Sequence, residues 1–225
     1  MKSISVVCTV HEERGLANVL ELGAILDRIR PEVIFLELPP NAFDQFLNAC
    51  TKNNLESTAV RLYREGKSVE LVPVDLPAPD ERFFSDYEYL QKTIENNSHD
   101  SRRLLTWHRN YVFDYGFSYL NSEHCSDMWA KIYSDERATL QKLGDKNLTE
   151  ISDLWRKTND LREDGMMKNI LLSCRTMSFE RAAFLIGAAH RQSIIDKSPQ
   201  YAGDSQDRVN WDFSCGASQI DQART

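Results

Sequence analysis

The sequence predicts an α/β fold built on an open, mainly parallel sheet. Four short apolar runs, typical of buried strands, alternate along the chain with segments of helical periodicity. The connections have the length of helical crossovers, which parallel strands require. The runs end at, or shortly before, a polar residue able to take part in chemistry: His11, Glu37, Asp75 and His190. Because the carboxyl ends of parallel strands form one rim, we expect a ligand site there.

The first half of the chain carries clear strand and helix signals. Residues 6–10 are an apolar, β-branched run, and the helix that follows them closes at Pro31. Pro39 and Pro40 end the second strand, and Asn41 is a suitable cap for the next helix. The predicted elements are a strand at 6–10, a helix at 16–29, a strand at 33–38, a helix at 41–50, a helix at 55–64 and a strand at 69–74.

The second half begins with a different composition. Residues 81–160 are polar, rich in aromatic residues and poor in strand signals, which predicts a helical insertion or cap within a single α/β domain spanning residues 1–225. Helical periodicity then runs from Leu161 to just before Ser178, and strands are expected at 182–186 and 209–213. In the insertion we expect aromatic residues such as Trp107, Tyr111, Phe113 and Tyr115 in the core, and His99, His108 and His124 on the surface.

Composition limits the class of protein. A hydrophobic content of 41%, a charged content of 27% and a net charge of -7 indicate a soluble globular protein and argue against a nucleic-acid-binding surface. No apolar stretch approaches the ~20 residues needed to span a bilayer, so we expect no membrane association and a cytoplasmic location. The five cysteines are odd in number and form no CxxC pair, which disfavours a disulfide framework and a zinc knuckle.

Two histidines and a carboxylate at the predicted rim suggest a metal site. Divalent transition ions bind imidazole and carboxylate, and two histidines with one carboxylate leave positions for water or substrate. We therefore predict His11, His190 and Glu37 as ligands of manganese, cobalt or zinc. Glu37 lies within the apolar run 34–38, where a carboxylate is costly to bury without a partner. Asp75 precedes Leu76-Pro77, and an aspartate there is as typical of an ordinary strand end or turn as of a functional site. We expect it to contact the ligand residues and not the metal itself.

Several known catalytic motifs are absent from the sequence. The string His11-Glu12-Glu13-Arg14-Gly15 resembles the start of a zincin motif, but glycine stands where that motif needs its second histidine. There is also no glycine-rich phosphate loop and no GxSxG nucleophile elbow. These observations disfavour a zincin protease, a nucleotide-binding enzyme and a serine hydrolase of the α/β-hydrolase type.

The remaining pattern resembles the TraB/PrgY/GumN and Tiki superfamily, to which ChaN-like proteins and erythromycin esterases are distantly similar. That pattern is GxxH after the first strand, a glutamate ending the second strand, a helical arginine and a second GxxH. Gly187-Ala188-Ala189-His190 is an intact second motif, whereas Cys8-Thr9-Val10-His11 keeps the histidine and has cysteine in place of glycine. Glu37 stands at the glutamate position. Arg162 begins a segment, 162–169, similar to the arginine helix of esterase-like members, and the match covers about half the chain.

The resemblance implies metal-dependent hydrolysis of a peptide or ester bond, whereas ChaN-like relatives suggest haem or iron handling. It implies that His11, His190 and Glu37 are the metal ligands and that Glu37 and Arg162 are the catalytic residues. Arg162 would stabilise an oxyanion or bind a substrate carboxylate. The residues expected to support these groups are Cys8, Asp75, Glu163 and Asn169, and Gly187 is the loop glycine.

Alternatives to a metal-dependent hydrolase stay open at this point. In a metal-free version, a histidine is the general base and Glu37 orients it. In a binding module, the same rim holds a ligand, or haem through a histidine or tyrosine, without turnover. Cys8 favours the binding module, because its side chain would narrow the approach to an ion. A third possibility is a catalytically silent protein that binds a peptide partner. A homodimer is compatible with each of these alternatives.

Overall fold

The computed structural model describes residues 1–48, 54–202 and 208–216. Within these residues, eight α-helices surround a five-stranded sheet with strand order β3-β2-β4-β1-β5, in which all pairs are parallel. The strands are β1 (Lys2–Thr9), β2 (Val33–Leu36), β3 (Glu70–Pro73), β4 (Arg181–Gly187) and β5 (Val209–Asp212). The helices are α1 (Val19–Ile29), α2 (Phe43–Asn48), α3 (Leu55–Arg64), α4 (Glu81–Asn97), α5 (His99–Leu120), α6 (Glu123–Leu143), α7 (Lys146–Thr176) and α8 (Arg191–Lys197). The predicted α/β class is confirmed.

The register of the sheet aligns the carboxyl ends of four neighbouring strands, β3, β2, β4 and β1. Leu36 of β2 pairs with Leu185 of β4 and with Pro73 of β3, and Thr9 of β1 pairs with Gly187 of β4. The four strands therefore deliver the residues that follow them to the same edge of the sheet. The predicted added strand at 209–213 is also present, as β5, and it pairs with the first half of β1.

Four helices, α4 to α7, lie between β3 and β4, and α7 continues without a break through the predicted boundary at residue 160 to Thr176. The aromatic prediction for this segment is partly wrong, because Trp107, Phe113 and Tyr115 are 46%, 58% and 45% exposed. The surface prediction is wrong for His108, which is buried and lies 2.9 Å through Nδ1 from the hydroxyl of Tyr119. Single-sequence composition does not show which face of a polar helix meets the sheet.

A kink in α5 fastens the loop that follows β1. Gly116 has φ 51° and ψ −130° inside the helix, a backbone conformation open almost only to glycine. A Cβ there would lie 2.4 Å from the backbone of Leu16. The Leu16 N–H also donates to the carbonyl of Phe113 at 2.9 Å. This close approach holds the residue 11–18 loop, which carries His11, against the helical layer.

Two further sequence predictions concern membranes and cysteines. No helix in the described part of the chain combines the length and apolarity that a membrane crossing requires. Cys8, Cys125 and Cys174 are buried, as expected of small apolar residues, and Cys215 is half-buried. Cys50, which we placed in a helix at 41–50, lies outside the described residues.

Candidate active site at the carboxyl rim of the sheet

Glu37 lies at the centre of the rim, directly after β2. One carboxylate oxygen, Oε2, accepts the backbone N–H of Gly187 at 2.7 Å. The other, Oε1, accepts from Nη2 of Arg162 at 2.8 Å and lies 3.3 Å from Nε2 of His190. Burial raises the pKa of Glu37, but His190, the Gly187 amide and Arg162 outweigh it and lower the pKa to about 2. Glu37 is therefore an ionised anchor that joins β2 to β4 and α7.

His190 is held between two carboxylates. Its Nδ1 lies 2.6 Å from Oε1 of Glu163, and its Nε2 faces Glu37 at the longer distance of 3.3 Å. Burial lowers the pKa of His190, but the two carboxylates outweigh burial and raise the pKa to about 9. The imidazole therefore carries a proton at neutral pH, with its firmer contact to Glu163.

Arg162 links Glu37 to the end of β3. Its Nε lies 3.2 Å from both oxygens of Asp75, and its Nη2 lies 2.7 Å from Asp75 Oδ2. Its Nη1 donates to Asn159 at 2.9 Å. Asp75 is only 5% exposed, so this pair is shielded from water. The predicted residues Glu37, Asp75, Arg162 and His190 are thus brought together.

Glu163 and Asn169, both on α7, have different positions. Glu163 contacts His190 directly, and its Oε2 accepts from Ser193 and, at 3.1 Å, from Lys197. Asn169 instead donates to the backbone carbonyl of Val74 at 2.8 Å, which ties the helix to the end of β3. Glu163 therefore belongs to the site, and Asn169 fixes the helix that carries it.

His11 follows β1 and contacts the start of α3. Its Nδ1 is 3.2 Å from Oε2 of Glu56, its side chain is 72% exposed, and its carbonyl accepts the N–H of Leu55 at 2.9 Å. Glu56 raises the pKa of His11 through their hydrogen bond, against the opposing effect of burial. His11 and Glu37 line one small cavity of about 150 Å³. His190 does not line that cavity.

Glu56 is the site residue that sequence reasoning missed. It is the second residue of α3, whose cap is the side chain of Asn54, and its Oε1 accepts from Thr9 at the end of β1. An acid in the first turn of a helix is ordinary, because it favours the helix dipole. The sequence predicts the helix that starts at residue 55, and so places Glu56 in its first turn, but it does not predict that Glu56 contacts His11.

Cys8, in the altered GxxH motif, is part of the core. The carboxamide of Asn121 accepts from the Cys8 N–H at 2.7 Å and donates to the Cys8 carbonyl at 3.1 Å. Because β5 pairs with β1 only as far as Ser5, this carboxamide takes the place of a neighbouring strand. Burial raises the pKa of the thiol to about 12, so Cys8 is a neutral side chain.

The contacts of the rim do not suit the expected metal. Both ring nitrogens of His190 face carboxylates, and the two oxygens of Glu37 already accept from Arg162, His190 and the Gly187 amide. A metal needs free lone pairs on its ligands, so an ion would have to displace these partners and the imidazole proton. No set of three or more histidine, cysteine, aspartate or glutamate side chains among the described residues is arranged to hold an ion.

Comparison with known proteins adds one distant likeness. No family model matches the sequence, and no curated protein matches it. Membership of the TraB and Tiki superfamily therefore stays a prediction. Among solved structures, a mutant erythromycin esterase in its open conformation is similar, with 14% identity and a TM-score of 0.35. The match covers 82% of this chain, which spans 60% of the length of that esterase.

Proposed function

We propose that this protein is a metal-independent hydrolase of carboxylic esters or amides, with His11 as general base and His190 as general acid. One observation carries this proposal. Two histidines, each with a carboxylate at Nδ1, lie at one rim of the sheet: His190 Nε2 is 3.3 Å from Glu37, and His11 lines a cavity together with Glu37. A carboxylate on one ring nitrogen fixes the tautomer and leaves the other nitrogen directed at the reacting groups.

His11 suits the role of base because its ring is accessible. With Nδ1–H directed to Glu56, the neutral ring presents Nε2 as an acceptor for a proton from water. The exposed fraction of 72% leaves room for that water and a substrate carbonyl. Glu56 acts through His11 and is a positioning residue, since its own carboxylate is turned to Thr9 and His11.

His190 suits the role of acid because the two carboxylates raise its pKa to about 9, so its ring carries a proton at neutral pH. Its Nε2 contact with Glu37 is 3.3 Å, long for a charged hydrogen bond, so a substrate oxygen or leaving group can replace it. After Nε2 has given its proton to the leaving group, His190 takes a proton from solvent and His11 releases to solvent the proton it took from water, which restores both rings. Glu163 keeps its contact with Nδ1 and holds the ring in place.

Glu37 and Arg162 support this pair. A carboxylate with a pKa of about 2 is a weak base, so Glu37 orients His190 and does not accept the proton from water. Arg162 keeps Glu37 ionised, and Asp75 fixes the guanidinium from the other side. We assign both Glu37 and Arg162 as positioning residues for His190.

The test is turnover of para-nitrophenyl esters of varied acyl length by the wild-type protein, before and after chelation of metals. We expect activity that survives chelation and falls by about 10²–10⁴-fold in His11→Gln, the range for loss of a general base. The matched control is His99→Gln, because His99 is an exposed histidine on α5. Glu56→Gln should shift the acid limb of the pH profile to lower pH, because Glu56 raises the pKa of His11.

Three outcomes would contradict the proposal: no turnover of any ester, activity in His11→Gln equal to that of His99→Gln, or activity abolished by chelation and restored by manganese, cobalt or zinc. The last outcome would favour the metal-dependent alternative. A folded spectrum for each variant, recorded by circular dichroism, separates loss of chemistry from loss of structure.

A further inference from the structure

A second cavity lies beside His190 in the helical layer. This space, called here the helical cleft, has a volume of about 480 Å³. Ligand sites for small organic molecules commonly have about 300–1,000 Å³. The walls of the cleft include Trp129, Tyr133, Arg137, Trp155, Arg156 and His190. The cleft thus combines aromatic walls, two arginines and the imidazole assigned above as the acid.

The aromatic part of the cleft is rigid. Trp155 on α7 stacks on Tyr87 of α4 with ring centroids 3.5 Å apart and planes within 2°. Phe83 stacks on the same indole at 5.1 Å. A ring held in this way contributes flat apolar surface to a ligand without losing conformational freedom on binding. The cleft therefore suits a planar, apolar group.

The two arginines of the cleft differ in their surroundings. Arg156 is fixed by Glu136, whose Oε1 lies 3.1 Å from Nη2 and also accepts from Ser152 at 2.7 Å. Arg137, the next residue along α6, is exposed and forms no ion pair with another described residue. One guanidinium is thus held in place and the other carries an uncompensated charge, which favours an anionic group between α6 and α7.

The acids that line the cleft are mostly compensated. Asp160 lies 2.7 Å and Glu163 3.1 Å from the ammonium of Lys197, and Glu163 also contacts His190. Asp196, on α8, accepts from Gln192 at 2.8 Å. These groups lie on α7 and α8, whereas Arg137 lies on α6. The part of the cleft formed by Arg137 of α6 and Arg156 of α7 is therefore the part that attracts an anion.

We propose that the helical cleft binds substrates in which a planar apolar group is joined to a carboxylate, with the carboxylate held by Arg137 and Arg156. His11 lines the other cavity and not the helical cleft, so a substrate must extend from the cleft past His190 towards His11. This placement of the scissile bond rests on the proposed hydrolase function, but binding of the carboxylate does not. The substrate class is therefore esters or amides of aromatic acids that carry a second, free carboxylate.

The test is isothermal titration calorimetry of the full chain with two compounds that cannot be hydrolysed, naphthylpropanoate and the corresponding neutral methyl ketone, naphthylbutanone. The two ligands share the ring and differ in charge. We expect the carboxylate to bind about 10-fold more tightly at low salt, with the advantage falling as salt is raised. Equal affinities, or no binding of either compound at millimolar concentration, would overturn the proposal.

Three variants assign the effect to the cleft. Arg137→Gln should weaken binding of the carboxylate about 3- to 10-fold and leave the ketone unchanged. Arg156→Lys keeps the charge opposite Glu136 while removing the planar guanidinium, and it should cause a smaller loss. The matched control is Arg61→Gln, an exposed arginine on α3, which should change neither affinity. An unchanged affinity in Arg137→Gln would place the ligand elsewhere.

The two proposals fail separately. If the carboxylate binds as described but no ester is turned over, the hydrolase function is wrong and the cleft is a binding site. If esters are hydrolysed but the acid and the ketone bind equally, the function stands and the assigned substrate class is wrong.

Discussion

Substitution of Glu163 by glutamine tests the charge state of His190 through stability. The contact with Glu163 and the neighbouring Glu37 raise the pKa of His190 from 6.5 to about 9, which at about 1.4 kcal/mol per pKa unit corresponds to about 3 kcal/mol of stabilisation. Because the pKa is raised in the folded state, this stabilisation is fully present below pH 6.5 and is lost as the pH rises through 9. Glu163 is one of the two carboxylates that supply it, so its removal should cost part of this amount, up to about 3 kcal/mol.

The assay is urea unfolding of wild type and Glu163→Gln at pH 6 and at pH 10. The variant should lose more free energy of unfolding at pH 6 than at pH 10, with a difference of up to about 3 kcal/mol between the two losses. The matched control is Asp164→Asn, because Asp164 contacts Tyr201 and Lys197 without contacting His190. An equal loss at both pH values in Glu163→Gln would refute the reasoning, since it would mean that Glu163 does not stabilise a protonated imidazole.

Two further stability predictions follow from the backbone, both measured by urea unfolding. Gly116→Ala should lower the free energy of unfolding by about 3 kcal/mol or more, because φ is positive there and the new Cβ would lie 2.4 Å from the Leu16 backbone. The control is Gly23→Ala, in open space on α1, which should raise the free energy of unfolding by about 0.5–1 kcal/mol. Equal effects of the two substitutions would contradict the close approach at the kink. Asn121→Ala should lower the free energy of unfolding by about 2–4 kcal/mol, because it leaves the buried N–H and carbonyl of Cys8 without their side-chain partner. A loss below 1 kcal/mol would contradict the view that this carboxamide takes the place of a neighbouring strand.

The sheet was predictable because its strands have local signatures. Runs such as residues 33–36 and 182–186 are apolar throughout, as expected for strands buried on both faces, and the observed β2 and β4 coincide with them to within two residues. The carboxyl ends of these strands also predicted the rim, because parallel pairing follows from helical crossovers. Local pattern and chain topology together place Glu37 and His190 at one edge.

The detailed contacts of the site were not predictable from the sequence, because they join distant elements. The partner of His11 is Glu56, 45 residues away, and the partner of Cys8 is Asn121, 113 residues away. Neither glutamate in a first helical turn nor asparagine after a helix stands out, since both residue types are common there. The charge of His190 depends on two carboxylates from different elements, which only the fold brings within reach.

The most direct test of the proposed acid–base pair is the titration of the two imidazoles by NMR, with His11→Gln and His190→Asn used to assign the signals. The account predicts that His190 titrates near pH 9 and that His11 titrates above 6.5 but below His190, so that a protonated acid and a neutral base coexist between those values. If His190 titrates at or below 6.5, the imidazole is not a cation at neutral pH, and its role as general acid is contradicted.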